Sequence, residues 1–477
     1  MAAPFLFHWK IAGASLHPRS KFRSFRETAS HGSGEAMNRG FGALGLLILS
    51  ITFSTAWAVI GGLSVLLVLL FLLSGIFGPM PRYSISNRHD LPSNNSEAFL
   101  IVLESLTDAK VNRTGVLDVL TDGTSFYPSA LDAIRSARQS ICLEAYVFHP
   151  GEIARLYVDA MTERAKAGVE VNLVLDAFGS WSATKSFFRP LIDGGGRVER
   201  YNSVQWYSLS RMDNRTHREL LIVDGCIGFI GGAGVADQWW EGATNHPRWR
   251  DTMVRVEGEA VPNLLATFAE NWLTSHGELL MGPRYFPEIR CDRETIAMVI
   301  NSTPSPGGCT RARVLFQMLL ASAQESIAIT TPYFLPDKGL VEELCRAVER
   351  GVRLTILVPG RKSDHMLTRS TSRGGYGKLL RAGAAVYEYQ PAMIHAKILV
   401  IDGTWAVVGS TNFDNRSFGI NDEVNLAVRD KEVVARLESD MARDLTQSRR
   451  VSLDDWAHRP VMERVTEVLG WVIERQQ

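Results

Sequence analysis

Forty consecutive residues, Phe41 to Met80, carry no charge. About 20 apolar residues carry a helix across a bilayer, so segment 41–80 is expected to be transmembrane, as one long span or two short ones. Its densest part, Ala56 to Phe77, includes VLLVLLFLL and exceeds an ordinary signal-peptide core. Cysteine is scarce and unpatterned. Cys142, Cys226, Cys291, Cys309 and Cys345 are odd in number and show no CxxC spacing, which argues against a disulfide frame or a zinc ribbon. Neither sign of charge is in excess, with 51 basic and 51 acidic residues. No global field therefore draws the chain to nucleic acid, and no such partner is expected. Residues 1–40 lack apolar periodicity and are basic and serine-containing, the composition of a disordered segment. That basic end should stay cytoplasmic. One span then places the body of the chain outside the cytoplasm, and two spans return it.

The stretch from Met393 to Val424, MIHAKILVIDGTWAVVGSTNFDNRSFGINDEV, has a different character. His395 and Lys397 alternate, so on an extended strand both face one way. Asp402 and Gly403 mark a turn, and an apolar strand then leads to Gly409, Ser410 and Asn412. A histidine can attack phosphorus or protonate a leaving oxygen. An ammonium and an amide can hold the non-bridging oxygens. A second copy, THRELLIVDGCIGFIGGAGVADQW, places His217, Asp224, Gly225, Gly231 and Gly232 at the same offsets. What it lacks is the lysine, replaced by Glu219, and the asparagine, replaced by Gly234.

The intact pattern HxKx4Dx6GSxN resembles the signature of the phospholipase D superfamily. LEAYVF, TPYF, WRDTMVRVEGEAV, LLRAGAAVYEY and NFDNRSFGINDEV narrow the likeness to bacterial cardiolipin synthases. The surrounding pattern agrees with a duplication. Helix, strand, helix, glycine and strand recur in each half, with strands Ile141 to Phe148 and Val169 to Leu175 answered by Ile327 to Phe334 and Val352 to Val358. Near-continuous apolar strands between helices imply sheets covered on both faces.

The expected fold is α/β, a duplicated phospholipase D-like α/β/α unit with pseudo-twofold symmetry behind the transmembrane run. The expected boundaries are a basic N-terminus (1–40), the membrane run (41–80), a linker (81–98), half 1 (99–282), half 2 (283–447) and a helical tail (448–477). Trp206, Tyr207, Trp239 and Trp240 flank the first motif and read as a lipid-entry mouth or as core packing.

The resemblance implies a membrane-bound phosphatidyltransferase that turns two phosphatidylglycerol molecules into cardiolipin and glycerol, in the (inner) cell membrane of a bacterium. No cofactor and no metal are implied. One histidine forms a phosphohistidine and the other moves protons; by the superfamily's habit His217 is the nucleophile and His395 the acid and base. Asp224 and Asp402 would orient the imidazoles, Lys397, Ser410 and Asn412 would hold phosphate oxygens, and Glu423 would orient a histidine across the seam. Glu219 is the difficulty, because it shares the His217 face at the phosphate position. Two like charges at about 4 Å cost about 4 kcal/mol at an effective dielectric of about 20. A protonated Glu219, neutralisation by Arg211, Arg215 or Arg218, or chemistry run from the second motif with His395 as nucleophile would each relieve it. The rival readings are a phospholipase that uses water as acceptor and a silent lipid-binding relative.

Overall fold

The computed structural model describes residues 42, 44, 50, 52, 53, 55–70, 83–203, 213–241, 247–289, 295–304, 309–460, 463, 464 and 467. Two compact units are present, Met1–Gly75 and Ile76–Gln477. In the first, residues 55–70 are helical and exposed throughout, and Val65, Leu67 and Trp57 stand open on that helix. Most of the expected membrane run beyond them lies outside the described residues. Among the described residues no helix is long and apolar enough to cross a membrane.

The second unit is built on one 15-stranded sheet. Its strands in chain order are β1 (Asn112–Thr121), β2 (Ser140–Ala145), β3 (Glu170–Asp176), β4 (Arg197–Tyr201), β5 (Leu220–Val223), β6 (Ile227–Gly231), β7 (Thr252–Gly258), β8 (Thr295–Ser302), β9 (Ser326–Thr330), β10 (Phe334–Leu335), β11 (Arg353–Pro359), β12 (Ala385–Tyr389), β13 (Ile398–Ile401), β14 (Trp405–Gly409), β15 (Phe413–Asp414), β16 (Glu423–Arg429) and β17 (Ser448–Val451). From the seam outward the first half runs β1-β7-β6-β5-β2-β3-β4 and the second β8-β16-β14-β13-β9-β11-β12. The order and the parallel or antiparallel sense of each pair are the same in both. The halves join where β1 and β8 pair antiparallel, Arg113 opposite Ile296. β10 and β15 form a separate parallel pair.

Helices cover both faces: α1 (Glu97–Thr107), α2 (Gly123–Ser136), α3 (Glu152–Lys166), α4 (Val261–His276), α5 (Arg311–Ser322), α6 (Lys338–Glu349), α7 (Met366–Ala382) and α8 (Lys431–Thr446). Alternation along each strand decides which core a side chain enters. On β5, Leu220 and Ile222 join the core under α4 and α8, while Leu221 and Val223 join the one under α2 and α3. On β13, Ile398 and Val400 share the α4 and α8 core, while Leu399 and Ile401 pack under α5 and α6. One face thus carries a core common to both halves, and the other carries a separate core for each.

The helix ends follow local chemistry. Ser96, Thr310 and Asp337 each accept an amide from the first turn of their helix, satisfying donors that the helix leaves unpaired. Gly168 and Gly351, after α3 and α6, sit at φ +90 and +93, the left-handed conformation that ends a helix at no steric cost to glycine.

Two expectations are corrected. The strand expected over Ile141 to Phe148 leaves the sheet after Ala145, and that over Ile327 to Phe334 after Thr330, because the chain turns there to line a cavity. The helical tail begins instead with β17, paired antiparallel to β12, so Val451 is spent on the sheet edge. Within the 81–98 linker, Arg88 pairs with Glu343 and Asn94 Nδ2 donates to Asp402 at 2.8 Å.

Candidate active site

Both motif hairpins turn on an aspartate and a glycine. Asp224 and Gly225 have φ 53 and 64, and Asp402 and Gly403 have 52 and 60, the paired left-handed residues that a tight right-twisted hairpin requires. Each carboxylate then closes a neighbouring loop. Asp224 accepts the amides of Arg138, Gln139 and Ser140, and Asp402 those of Gln324, Glu325 and Ser326. Neither orients a histidine, which corrects the role expected for both. They hold the start of β2 and β9 to the far end of the hairpin.

The histidines lie at the opposite strand ends, where each half borrows backbone from the other. His217 N donates to Asp422 O at 2.9 Å and Asp422 N to Arg215 O at 2.9 Å. His395 N donates to Arg250 O at 2.7 Å, and Arg250 N to Met393 O at 2.9 Å. This exchange sets a carboxylate from the other half against each ring. His217 Nδ1 lies 3.1 Å from both oxygens of Glu423, the cross-seam partner expected. His395 Nδ1 lies 2.9 Å from Asp251 Oδ2. Asp251 was not singled out in the sequence, although it stands two residues before Met253, the partner of Gly231, as Glu423 stands two before Asn425, the partner of Gly409. That equivalence was the available signal.

Both rings face a cavity of about 550 Å³, lined also by Tyr146, Arg215, Glu219, Tyr333, Asp364 and Asn412. Asn412 is buried in the lining and its Oδ1, an acceptor, has no hydrogen-bond partner; the Nδ2 donor of the same amide is the atom that could reach a phosphate oxygen. Lys397 takes a different position from the one expected. It is buried, outside the cavity lining, and its Nζ lies 2.8 Å from His395 Nδ1, 3.0 Å from Nε2 and 2.7 Å from the His395 carbonyl. Its charge therefore reaches a ligand across the His395 ring. Ser410 is likewise diverted: it is fully buried, and its hydroxyl donates to Glu423 and accepts from Val424 N. It supports the partner of His217 rather than a phosphate.

Electrostatics separate the two rings. Burial, then the Lys397 ammonium, pushes His395 below the ordinary histidine value. Burial pulls Lys397 down to about 8, against the carboxylates of Asp251, Glu423 and Glu219. Burial alone would raise Asp251, but the hydrogen bond and charge of His395, with Lys397, hold it below the usual carboxylate range.

Glu219 faces the cavity and is nevertheless anchored. Its Oε1 accepts the amides of Tyr146 and Val147 at 3.1 and 3.2 Å. Burial pushes this carboxyl well above its ordinary value, against the pull of the Val147 amide and of Lys397. Arg218 does not neutralise it: that guanidinium is buried on the other face, bonded to Thr267 O, Glu270 and Asn301. Arg215 pairs with Asp176 and bonds Asn202, and Arg211 lies outside the described residues. Gly234 belongs to the same arrangement. A Cβ there would stand 2.4 Å from Val147 O and 3.1 Å from Glu219 Oε1, so no asparagine fits while Glu219 holds that loop.

The tryptophans divide. Trp239 is core packing, fully buried with its ring 5.4 Å from His395 and its indole N–H donating to Asp251 at 3.1 Å. Trp240 packs partly buried against the first-half core. Trp206 and Tyr207 lie outside the described residues. The exposed aromatics of the cavity are Phe178 and Trp181, 67% and 74% open, which the sequence reading passed over. Among the described residues no group of side chains could hold a metal ion.

Comparison with known proteins agrees with this geometry. A family profile described as "Cardiolipin synthase, PLD-like domain" matches residues 130–272 and 316–445. The chain is 33% identical over 389 residues to the major cardiolipin synthase ClsA of Bacillus subtilis, covering 81% of this chain and 80% of that protein. It is 33% identical over 352 residues to the cardiolipin synthase of Alkalihalophilus pseudofirmus, covering 73% and 70%. Among solved structures, phosphatidylserine synthase of Haemophilus influenzae superposes with a TM-score of 0.61 at 13% identity, over 78% of this chain and 98% of that one. At that identity the likeness concerns the fold alone.

Proposed function

We propose that this chain, which belongs to the phospholipase D-like cardiolipin synthase family, condenses two phosphatidylglycerol molecules into cardiolipin and glycerol. It is a phosphatidyltransferase of the phospholipase D superfamily. The observation that carries the reading is the pair of histidines facing one cavity, each with its Nδ1 held by a carboxylate of the other half. A carboxylate on Nδ1–H leaves the Nε2 lone pair of a neutral ring for chemistry and stabilises the imidazolium that forms. One histidine displaces glycerol from phosphorus to give a phosphatidyl-histidine. The other gives its proton to the departing alkoxide, then takes one from the hydroxyl of the second phosphatidylglycerol. Asn412 holds a non-bridging oxygen, and the Lys397 charge lies one ring away.

The test is full-length protein in phosphatidylglycerol vesicles, read by lipid mass spectrometry. Cardiolipin and glycerol should appear, and His395→Ala and His217→Ala should each abolish them. Phosphatidic acid in their place would make water the acceptor. No lipid turnover in the parent would favour the silent relative. With Lys397 near 8, kcat/KM, which reports the free enzyme, should fall as pH rises through that value and the ammonium loses its charge. A profile flat well above it would remove Lys397 from the chemistry.

The proposed setting is the cell membrane of a bacterium, with segment 41–80 as anchor and residues 99–447 as the catalytic body. The cavity mouth fits that setting. Phe178 and Trp181 on one side, and Met366 and Leu367 beside the lining residue His365, are exposed. Lys185 stands exposed in the loop of Phe178 and Trp181, and Arg361 and Lys362 in the loop that leads into α7. Aromatic side chains favour the headgroup layer, and each basic residue near an anionic surface contributes about 1 kcal/mol. Phe178→Ser with Trp181→Ser should raise KM for phosphatidylglycerol vesicles about tenfold or more while leaving turnover of a short-chain, monomeric substrate unchanged. Equal loss on both substrates would place these residues in packing instead.

A further inference from the structure

We propose that Arg215 and Arg416 form a second anion site in the cavity, one that takes the phosphodiester of the acceptor phosphatidylglycerol. This inference rests on the cardiolipin reading above and says how the acceptor is chosen. It starts from the substrates. Each phosphatidylglycerol carries one phosphodiester anion, and in the condensation only one of the two reacts. The other enters the same cavity unchanged, one glycerol bridge away from the reacting phosphorus. A site that joins two such lipids has to meet two anions. A site that uses water or free glycerol as acceptor meets only one.

The lining has cations for the second anion. Arg215 and Arg416 both face the cavity, the first two residues before His217 and the other four after Asn412. At the offset that carries His217 onto His395, their counterparts are Met393 and Gln238. Neither of those is charged, so the arginine pair has no equivalent around the other histidine.

Folding across the seam fixes both guanidiniums. Arg416 of the second half donates to Asp213 of the first, Nη1 to Oδ1 at 2.9 Å and Nη2 to the carbonyl at 2.6 Å. The Arg215 carbonyl accepts Asp422 N at 2.9 Å, and its guanidinium lies 5.9 Å from the Phe178 ring centre. Asp176, the carboxylate paired with Arg215, is 3.8 Å away, and its oxygens accept the amides of Phe178, Gly179 and Thr216. The carboxylates thus orient the guanidiniums, each of which presents five donors in a fork that matches phosphate oxygens. Burial raises the Tyr146 hydroxyl, Asp176 adds to that, and Arg416 and Arg215 pull it back, so these side chains share one end of the cavity. Asn421 is buried in the same lining, and its Oδ1 has no hydrogen-bond partner. It is an acceptor of the kind that a glycerol hydroxyl satisfies. Phe178, under Arg215 and exposed at the mouth, sets this end of the cavity beside the membrane-facing rim, where the acyl chains of the acceptor remain.

A donor that cannot act as acceptor isolates the site. Full-length protein is given a phosphatidyl p-nitrophenyl ester in mixed micelles, with glycerol or glycerophosphoglycerol as a water-soluble acceptor. Lipid mass spectrometry reads the products. Both acceptors offer a glycerol hydroxyl, and they differ in the phosphodiester. The parent should prefer glycerophosphoglycerol by about tenfold to a hundredfold in kcat/KM, the range expected of charge-assisted bonds to a phosphate. Arg215→Gln and Arg416→Gln should each lower that ratio about tenfold, whatever they do to the absolute rate. Arg215→Lys and Arg416→Lys, which keep the charge and lose the fork, should keep part of it. Equal use of both acceptors by the parent overturns the inference without any variant and leaves the transferase reading standing. A preference that survives both glutamine substitutions places the acceptor phosphate elsewhere and overturns it too. A parent that yields p-nitrophenolate and phosphatidic acid but transfers to neither acceptor overturns the transferase reading, and this inference with it.

Discussion

Asp251→Asn should cost about 10³–10⁴ in kcat, the scale expected when a buried carboxylate that sets a catalytic tautomer becomes an amide. Asp251 Oδ2 faces His395 Nδ1 at 2.9 Å and the Trp239 indole at 3.1 Å, while Oδ1 accepts Thr252 N at 2.8 Å. An amide cannot serve all three. With its oxygen on Thr252 N, its NH2 meets two donors and forces the His395 proton onto Nε2, where the reacting lone pair should be. Turned over, the NH2 opposes the Thr252 amide instead, and a buried donor is left unpaired. The informative comparison is Asp402→Asn. Its carboxylate serves three amides and Asn94 at the far end of the hairpin. Loss of those bonds should lower stability by about 1–3 kcal/mol and leave kcat within a few-fold of the parent. Cardiolipin formation and thermal unfolding of both variants decide the matter. The opposite ranking, with Asp402→Asn the inactive one, would restore the motif aspartate to the orienting role expected from the sequence.

Glu219→Lys writes the missing lysine back into the first motif, and the expected result is loss. Glu219 Oε1 accepts two backbone amides, and a lysine can accept neither. Each buried amide left unpaired costs about 1–3 kcal/mol, so the pair costs about 2–6. A second buried ammonium would also face Lys397 with no carboxylate left at 219, and burial disfavours any such charge. The Tyr146 ring, 5.3 Å from His217, rides on the same amide and should shift with it. A falling melting temperature together with reduced cardiolipin formation is expected. Glu219→Gln, which keeps the amide acceptor, should retain the fold. A gain of activity in Glu219→Lys at unchanged melting temperature would show that Glu219 is a handicap and not a brace.

The two substitutions in the first motif are therefore one change seen twice. Glu219 holds the Val147 amide, and the Val147 carbonyl and Cβ then stand 2.4 and 2.8 Å from where a Cβ at 234 would lie, so only a glycine fits there. In the sequence they look like separate losses, fifteen residues apart. Only the packing of Val147 against both shows them as a single rebuilt wall.

Much of the molecule is legible in order along the chain. Period-two alternation separates Leu220 and Ile222 from Leu221 and Val223. Glycines at 168 and 351 end helices, and Asp-Gly pairs turn hairpins, because these effects act within a few residues. The duplication and the two histidines follow from spacing, while the family, and with it Glu423 as a cross-seam partner, follows from the resemblance of whole segments. What the sequence could not determine is the direction of side chains whose partners lie far off in the chain. Asp251 is 144 residues from His395, and Glu423 is 206 from His217. Asp402, near its histidine in sequence, points at a loop 76 to 78 residues back. A hairpin places residues seven apart at opposite strand ends, so the aspartate of the motif is carried away from its own histidine. The seam brings the other half's carboxylate in its place. The chemistry was written locally, and the pairing of each base with its acid was decided by the fold.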